Sequence, residues 1–163
     1  MSLSISKRLQ KIIDMCDPCD YIVDVGTDHG KVAISIANKN ISHSVIAIDN
    51  KVGPLNACML NAKKYLNVNS AKFTTLLSDG LEKLDKSFKC GIIITGIGYD
   101  AMKTIIANVN EYNYKYLILS PHTKITELIK YLDSMDIDVI EESGVYDHDK
   151  YYYIIKGIKR SKT

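Results

Sequence analysis

The chain has 163 residues, of which 46% are hydrophobic and 25% are charged, and its net charge is +2; this balance is typical of a soluble globular domain with a sizeable core and does not by itself indicate a nucleic-acid-binding protein. No apolar run approaches the ~20 residues that span a bilayer, and the N-terminus has neither the apolar segment nor the cleavage signal of a signal peptide. We therefore expect a single domain over 1–163, located in the cytoplasm.

The first predicted element is a helix over 4–16, because apolar residues recur there at helical spacing and either Ser4 or Ser6 can cap its start. Cys16 and Cys19 follow with CxxC spacing. A zinc site would need a second such pair or two nearby histidines, and a redox pair would follow a strand and open a helix. We therefore predict reduced structural cysteines in a turn, and no metal site.

The most informative segment is 21–30, Tyr-Ile-Val-Asp-Val-Gly-Thr-Asp-His-Gly. A run of β-formers over 21–25 breaks at Gly26 and gives way to a helical pattern, and this order places a ligand at the carboxyl end of the strand. Gly26 allows a sharp turn and a close approach of a ligand to the backbone. Asp28 and His29 follow at the mouth of the strand, where a packed core has no use for them, so we interpret them as site residues.

Further strand and helix patterns follow in alternation. The predicted strands cover 43–49, 71–77, 90–95, 116–119, 137–145 and 151–158. The helix after the third strand is only the short segment 81–84, and the last two strands are joined so closely that they must be antiparallel. Five strand–helix pairs and a hairpin predict an α/β fold, a doubly wound Rossmann-like sheet of about seven strands, mostly parallel with an antiparallel C-terminal hairpin.

Acidic residues follow the second and third predicted strands. Asp49, with Asn50 after it, stands where a carboxylate can accept from both hydroxyls of a ribose, although a turn acid is the other interpretation. Asp79 is followed by Gly80, and its carboxylate can bond an adenine amino group or cap the helix over 81–84. In a doubly wound sheet, we expect such strand ends to line one crevice.

The fourth and fifth predicted strands end in Gly96-Ile-Gly98-Tyr99 and, after Ser-Pro, in His122. Together the strand ends suit a ligand with a ribose and an adenine. The spacing of the first glycine turn is poor for a pyrophosphate, and the carboxylate of Asp28 suits a cation instead. The charge argument therefore favours S-adenosylmethionine, which carries an ammonium and a sulfonium, over NAD.

Six short motifs, in order along almost the whole chain, match one known family. They are Leu3-Ser-Ile-Ser-Lys-Arg-Leu9, Asp24-Val-Gly-Thr-Asp-His29, Gly53-Pro54, Ser78-Asp-Gly-Leu-Glu82, Thr95-Gly-Ile-Gly98 and Leu117-Ile-Leu-Ser-Pro121. With them the chain resembles the TrmK family, the bacterial tRNA (adenine-N1)-methyltransferases. The family reads Gly-Met-Gly-Gly and Gln-Pro-Asn where this chain has Gly96-Ile-Gly98-Tyr99 and Ser120-Pro121-His122.

The resemblance implies a class I methyltransferase fold, S-adenosylmethionine as the cofactor, and N1 of adenine 22 in tRNA as the methyl acceptor. It also implies that Gly26 and Gly96 contact the methionine part of the cofactor, that Asp49 holds the ribose, and that Asp79 and Gly80 approach the adenine. Family members commonly carry a helical C-terminal extension, which we expect to be absent here.

On the substrate side, the resemblance implies that Arg8 lies over the site as a phosphate or base contact. Because N1 of neutral adenine has a lone pair, no general base is strictly required and positioning can supply most of the catalysis. Asp28 is the candidate for stabilising the cationic product. His29 and His122 are secondary hydrogen-bonding candidates, each with a helix-start role as the other interpretation, and Tyr99 can stack on the base or simply begin a helix.

The expected partner is therefore tRNA, bound by the basic N-terminal helix and the basic C-terminal tail, with no membrane and no metal, and with the protein as a monomer. One alternative is a class I methyltransferase that acts on another RNA or on a small molecule. A non-catalytic nucleotide-binding module is a second alternative. An NAD-binding oxidoreductase is disfavoured by the missing third glycine and by Asp28.

Overall fold

The protein is described from a computed structural model, in which residues 3–161 are described. Within that range the chain forms five α-helices, a 3-10 turn over Val109–Glu111 and seven strands. The helices are α1 (Lys7–Met15), α2 (Lys31–Lys39), α3 (Val52–Tyr65), α4 (Tyr99–Ile106) and α5 (Ile125–Ser134). The strands are β1 (Cys19–Val25), β2 (Ser42–Asp49), β3 (Lys72–Leu77), β4 (Cys90–Ile97), β5 (Tyr114–Pro121), β6 (Ile137–Asp147) and β7 (Lys150–Lys159).

The seven strands form one sheet in the order β3-β2-β1-β4-β5-β7-β6. Strands β1 to β5 pair in parallel, whereas β7 is antiparallel to both β5 and β6. The predicted fold class is therefore confirmed. The strand order reverses between β1 and β4, and this switch point is where a doubly wound sheet opens a crevice at the carboxyl ends of its strands.

Both faces of the sheet are covered, which explains why its central strands are continuous apolar runs. Successive side chains alternate between the faces, so that Ile22 packs with α1 and α2 while Val23 packs with α4 and α5. On β4, Ile93 likewise packs on the face covered by α1 and α2, whereas Ile92 and Ile94 pack on the opposite face. The sheet is thereby held rigid beneath its carboxyl edge.

The N-terminal helix begins later than the predicted range 4–16. Ser6 caps it, because its Oγ accepts a hydrogen bond from the backbone N–H of Leu9 at 3.1 Å. Ile5 therefore lies before the helix and is 41% exposed, although its spacing places it on the apolar face. The buried face of α1 is formed by Leu9, Ile12, Ile13 and Met15.

The helix predicted over 81–84 is wrong. This segment is a series of turns, in which the N–H of Leu84 donates to the carbonyl of Leu81 at 2.9 Å. The side chain that accepts a backbone hydrogen bond from this segment is that of Ser78 rather than Asp79. Its Oγ accepts from the N–H of Lys83 at 3.0 Å. Four residues are too few to repay helix nucleation, and burial of the two leucines produced the misleading helical spacing.

The C-terminal hairpin turns through His148 and Asp149, which both have positive φ, +52° and +64°. Two such residues make the tight turn whose twist matches a hairpin. Pairing of β7 with β5 covers only Leu117 to Leu119, whereas β6 and β7 pair as far as Asp147 and Lys150. The tip of the hairpin therefore extends past β5 at the carboxyl edge of the sheet.

The basic residues near the C-terminus are engaged within the fold rather than free as a tail. Lys156 is 6% exposed, and its Nζ lies 2.6 Å from Oδ2 of Asp17. Arg160 contacts Asp133, Asp136 and Asp138. In the same way, Lys159 donates to a backbone carbonyl at 2.9 Å. Lys162, the remaining member of the predicted basic tail, lies outside the described residues.

Candidate active site at the carboxyl edge of the sheet

The turn after β1 is built by backbone geometry that requires glycine. Gly26 has φ +74°, and its N–H donates to the carbonyl of Ile48 on β2 at 2.9 Å. The N–H of Thr27 donates to the same carbonyl at 3.1 Å. The Oγ1 of Thr27 donates in turn to Oδ2 of Asp24 at 3.1 Å. The turn is thereby tied to two strands at the switch point.

Asp28 and His29 lie side by side at the mouth of this turn. Asp28 has φ +35°, an uncommon backbone conformation for a residue other than glycine. Its Oδ1 accepts from the backbone N–H of His29 at 3.1 Å and lies 3.4 Å from His29 Nε2. The side chains are 81% and 66% exposed, respectively. The structure therefore presents an accessible carboxylate with an imidazole beside it.

A cavity of about 250 Å³ opens next to this pair. It unites the turn after β1 with the end of β4 and with α1, which contributes Arg8. The lining residues are Arg8, Asp24, Gly26, Thr27, Asp28, His29, Lys31, Val32, Thr95 and Gly96. Five of the residues predicted from the sequence are thus brought together, from segments that are almost ninety positions apart in the chain.

Asp24 is the acidic residue of this cavity that the sequence interpretation did not select as a site residue. Its side chain is 2% exposed, and burial raises its pKa to about 7, against the opposing effects of the Thr27 hydroxyl and the Arg8 charge. The nearby charge of Asp49 raises that pKa further. The available signal was an acidic residue inside an otherwise apolar strand, immediately before the glycine turn.

Asp49 ends β2 beside this turn and is half-buried. Its Oδ1 accepts from the backbone N–H of Lys51 at 3.1 Å, which is the turn interaction considered as the alternative to ribose binding. Its carbonyl accepts from the N–H of Ser78 at 2.9 Å and so joins the ends of β2 and β3. Asn50 follows in an exposed bend. The ribose role of Asp49 and Asn50 stays a prediction.

Asp79 and Gly80 line a different cavity, of about 350 Å³, between the turns after β3 and helix α4. Gly80 has φ +56° and lies against Ile105 of α4, where an added Cβ would be 3.4 Å from the isoleucine Cγ1. The expected single crevice is therefore divided between two cavities in this structure. The adenine role of these two residues stays a prediction.

Tyr99 and His122 lie at the neighbouring strand ends. Tyr99 is the first residue of α4, and its ring is flanked by the ammonium groups of Lys103 and Lys124, at 6.0 and 5.9 Å from the ring centroid. The N–H of His122 donates to the carbonyl of Ile97 at 2.9 Å, which holds the loop after β5 against the end of β4. The imidazole is exposed, two residues before Lys124, which is the N-cap of α5.

A larger cavity, of about 1040 Å³, is at the opposite edge of the sheet, where the strands begin. It is lined by Pro18, Cys19, Asp20, Asn40, Ile41, Ser42, His43, Ser70, Ala71, Lys72, Lys89, Asn113, Tyr114 and Lys115. Size alone does not make it the active site, because ligands of doubly wound sheets bind at the carboxyl ends of the strands. The residues predicted to carry the chemistry lie at the carboxyl edge, away from this cavity.

The cysteines are free thiols, and burial raises the pKa of Cys16 and of Cys90 to about 12. Such thiols are poor nucleophiles and poor metal ligands at neutral pH. Across 3–161, the His, Cys, Asp and Glu side chains form no group of three or more that could hold a metal. None of the helices in this range combines the length with the apolar character that a membrane-spanning helix needs.

A doubly wound sheet with glycine turns and carboxylates at its switch point defines a Rossmann-like domain of the class I methyltransferase type. Residues 5–155 match the family model described as a methyltransferase domain, and the chain belongs to this family. A relative from Mycoplasma genitalium, named as a candidate tRNA methyltransferase, is 25% identical over 154 residues, which are 91% of this chain and 67% of that protein. A second, from Mycoplasma pneumoniae, is 25% identical over 86% of this chain and 63% of its own length.

Solved structures of methyltransferases are also similar to this chain. TrmK of M. capricolum, in complex with S-adenosyl-homocysteine, superimposes with a TM-score of 0.83 at 26% identity, over 98% of this chain and 70% of that chain. A candidate tRNA (m1A22) methyltransferase of Streptococcus pneumoniae, in complex with S-adenosyl-L-methionine, has a TM-score of 0.86 at 24% identity, over 98% and 76%. The resemblance to TrmK proteins is therefore confirmed. The chain spans about two thirds of the length of these curated relatives.

Proposed function

We propose that the protein is an S-adenosylmethionine-dependent methyltransferase that modifies N1 of an adenine in tRNA, at position 22. The observation that carries this proposal is the cavity at the switch point, which gathers Gly26, Asp28 and Gly96 in a chain of the methyltransferase-domain family. It is supported by the similar M. capricolum and S. pneumoniae structures, which hold S-adenosyl-homocysteine and S-adenosyl-L-methionine. The S. pneumoniae protein is named as a candidate tRNA (m1A22) methyltransferase, which supports the same acceptor here.

The residues of the cavity fit this cofactor in charge and in shape. The exposed carboxylate of Asp28 complements its cationic groups, and Asp24, whose pKa burial raises to about 7, supplies a second negative charge when a bound cation draws off its proton. Gly96 has φ +75°, and an added Cβ would meet nothing within 4 Å, so its backbone faces open space. When bound, S-adenosylmethionine supplies an electrophilic methyl group. The proposed cofactor contacts are Gly26, Asp28, Asp49, Asn50, Asp79, Gly80 and Gly96.

Asp28 is the proposed group that stabilises the positive charge that methylation creates on the adenine ring. Its carboxylate is exposed at the mouth of the cavity, and its Oδ1 accepts from the backbone N–H of His29 at 3.1 Å. A carboxylate next to a developing positive charge lowers the energy of the transition state. Because N1 carries a free lone pair, the protein need not remove a proton first, and most of its task is to position the two reactants.

The adenine must leave its stack before it can reach the cavity. Tyr99 and His122 lie at the strand ends next to Gly96 and are the proposed contacts of the extruded base. Arg8 reaches the cavity from α1 and is the proposed contact of a neighbouring phosphate. The three side chains approach the cavity from different elements.

A second candidate is a methyltransferase that acts on another RNA or on a small molecule. It is favoured by Tyr99 and His122, which stand where the TrmK family has glycine and asparagine. A bulkier aromatic ring and an imidazole at the entry can change which base or ligand fits. The cofactor and the fold would be the same in both cases.

The test is a transfer assay with S-adenosylmethionine and two unmodified tRNA transcripts, one with adenine and one with guanine at position 22. Nucleosides are identified by mass spectrometry after digestion. We expect 1-methyladenosine from the first transcript and none from the second. Equal methylation of both transcripts would refute position 22. No transfer to either, with cofactor binding measured on the same sample, would refute the tRNA substrate and favour the second candidate.

We propose further that the protein acts as a monomer in the cytoplasm, where newly made tRNA is found. Sedimentation equilibrium tests the monomeric state directly. A dimer at the concentration of the transfer assay would contradict it.

A further inference from the structure

Tyr99 is the centre of a small cationic cluster beside the proposed active site. The Nζ atoms of Lys103 and Lys124 lie 6.0 and 5.9 Å from the centroid of its ring, within the range of cation–π attraction. Lys103 also lies 4.9 Å from the ring centroid of Tyr131 on α5. Three elements, namely α4, α5 and the loop before α5, thereby hold two ammonium groups around one aromatic ring.

Both lysines are exposed, and like most cations among the described residues they make no ion pair. Among the described residues, the lysine and arginine ion pairs within 4 Å are made by Lys11, Lys86, Lys156 and Arg160. Within that part of the chain, Lys103 and Lys124 therefore have no carboxylate partner. Their charge is available to a ligand outside the protein.

The cluster is joined to the strand end that contributes Gly96 to the cavity, although its three side chains are not among the lining residues. Lys124 has φ +62° and directly precedes α5, so its position is set by the loop that begins at His122. That loop is bonded to the end of β4 through the carbonyl of Ile97, one residue after the cavity residue Gly96. The two lysines therefore lie at the same edge of the sheet as the methyl-transfer site.

We propose that Lys103 and Lys124 bind the tRNA phosphates that flank the target adenine, while the ring of Tyr99 stacks on a base. This rests on the proposed function and adds two substrate-binding residues to it. Ammonium groups bind phosphate as point charges and fix the register of the nucleic acid. Aromatic rings stack on unpaired bases with little sequence preference. The cluster supplies both interactions beside the cavity.

The test measures how tRNA affinity depends on salt. The slope of log K against log salt is negative. Each phosphate contact increases its magnitude by about 0.7 for single strands and about 0.9 for duplexes. We expect Lys103→Gln and Lys124→Gln each to reduce the magnitude of the slope by about that amount, and the double variant by about twice as much. Lys63→Gln, at an exposed lysine of α3, is the matched control and should keep the wild-type slope.

Two further measurements separate the possible failures. Melting temperatures of the lysine variants should match the wild type, because a purely structural role in holding Tyr99 would lower them without changing the slope. Cofactor affinity should also be unchanged. Wild-type slopes in all variants, with tRNA bound, would overturn the lysine proposal alone. Absence of both tRNA binding and tRNA methylation by the wild type would overturn it together with the proposed function.

Discussion

Replacing Asp24 by asparagine should remove a pH-dependent loss of stability. Burial raises the pKa of Asp24 from 3.8 to about 7, so the folded protein keeps a proton that the unfolded chain has already lost between those values. Under proton linkage, the free energy of unfolding then falls as the pH rises through this window. The fall is at most about 4 kcal/mol, since each pKa unit corresponds to about 1.4 kcal/mol.

The assay is urea unfolding of the wild type and of Asp24→Asn at several pH values from 4 to 8. Asparagine is neutral throughout, and its side-chain oxygen can still accept from Thr27 Oγ1, which lies 3.1 Å from the carboxylate. We expect similar stabilities at about pH 4, and a variant that is more stable than the wild type at pH 8 by up to about 4 kcal/mol.

Thr27→Val provides the matched comparison. Because the Thr27 hydroxyl lowers the pKa of Asp24, its removal should raise that pKa and extend the decline in stability to higher pH. Parallel curves for the wild type and Asp24→Asn across the whole range would refute the reasoning. Asp24 would then be ionised in the folded protein under all of these conditions.

Two further substitutions test the site and the core. Asp28→Asn, which tolerates the positive φ of that position, should lower the rate of 1-methyladenosine formation by about 100-fold with an unchanged melting temperature; an unchanged rate would remove Asp28 from the mechanism. Gly91→Ala should destabilise the protein by about 3 kcal/mol in urea unfolding, because its Cβ would lie 2.2 Å from the buried ring of Tyr116. Gly53→Ala, where a Cβ would meet nothing within 4 Å, is the control and should have little effect.

The parts of the fold that sequence predicts well are those with local causes. The run Tyr21 to Val25, the glycine that ends it and the close antiparallel connection of the last two strands are each determined by neighbours in the chain. The segment 81–84 was mispredicted because two leucines at helical spacing are buried by distant packing against α4 rather than by a helix of their own. Local periodicity cannot distinguish these cases.

The candidate site likewise has one part that the local sequence predicts and another part that depends on distant packing. Gly26, Asp28 and His29 lie within four consecutive positions, and their common location follows from one turn. The separation of Asp79 and Gly80 into another cavity depends on Ile105, which packs against the glycine from α4. Such a contact follows from the placement of a helix on the sheet. Motif order along the chain contains no information about it.

The same is true of Lys156, which the sequence presents as part of a basic tail. Its partner, Asp17, is 139 positions away, and only the completed sheet brings β7 beside the turn that follows α1. Its Nζ also lies 5.0 Å from the ring centroid of Tyr116. A charge that appears free in a linear sequence is therefore buried as an anchor for the N-terminal helix.

This anchor has a consequence for synthesis on the ribosome. Helix α1 emerges early and packs its apolar face against α2 and the parallel strands, but its polar partners are translated later. Glu141 of β6 pairs with Lys11, and Lys156 of β7 pairs with Asp17 in the turn after α1. Arg8 itself lies 5.1 Å from the ring centroid of Tyr152 on β7. A nascent chain that already contains both glycine turns therefore still lacks the contacts that the hairpin makes with the helix that carries Arg8.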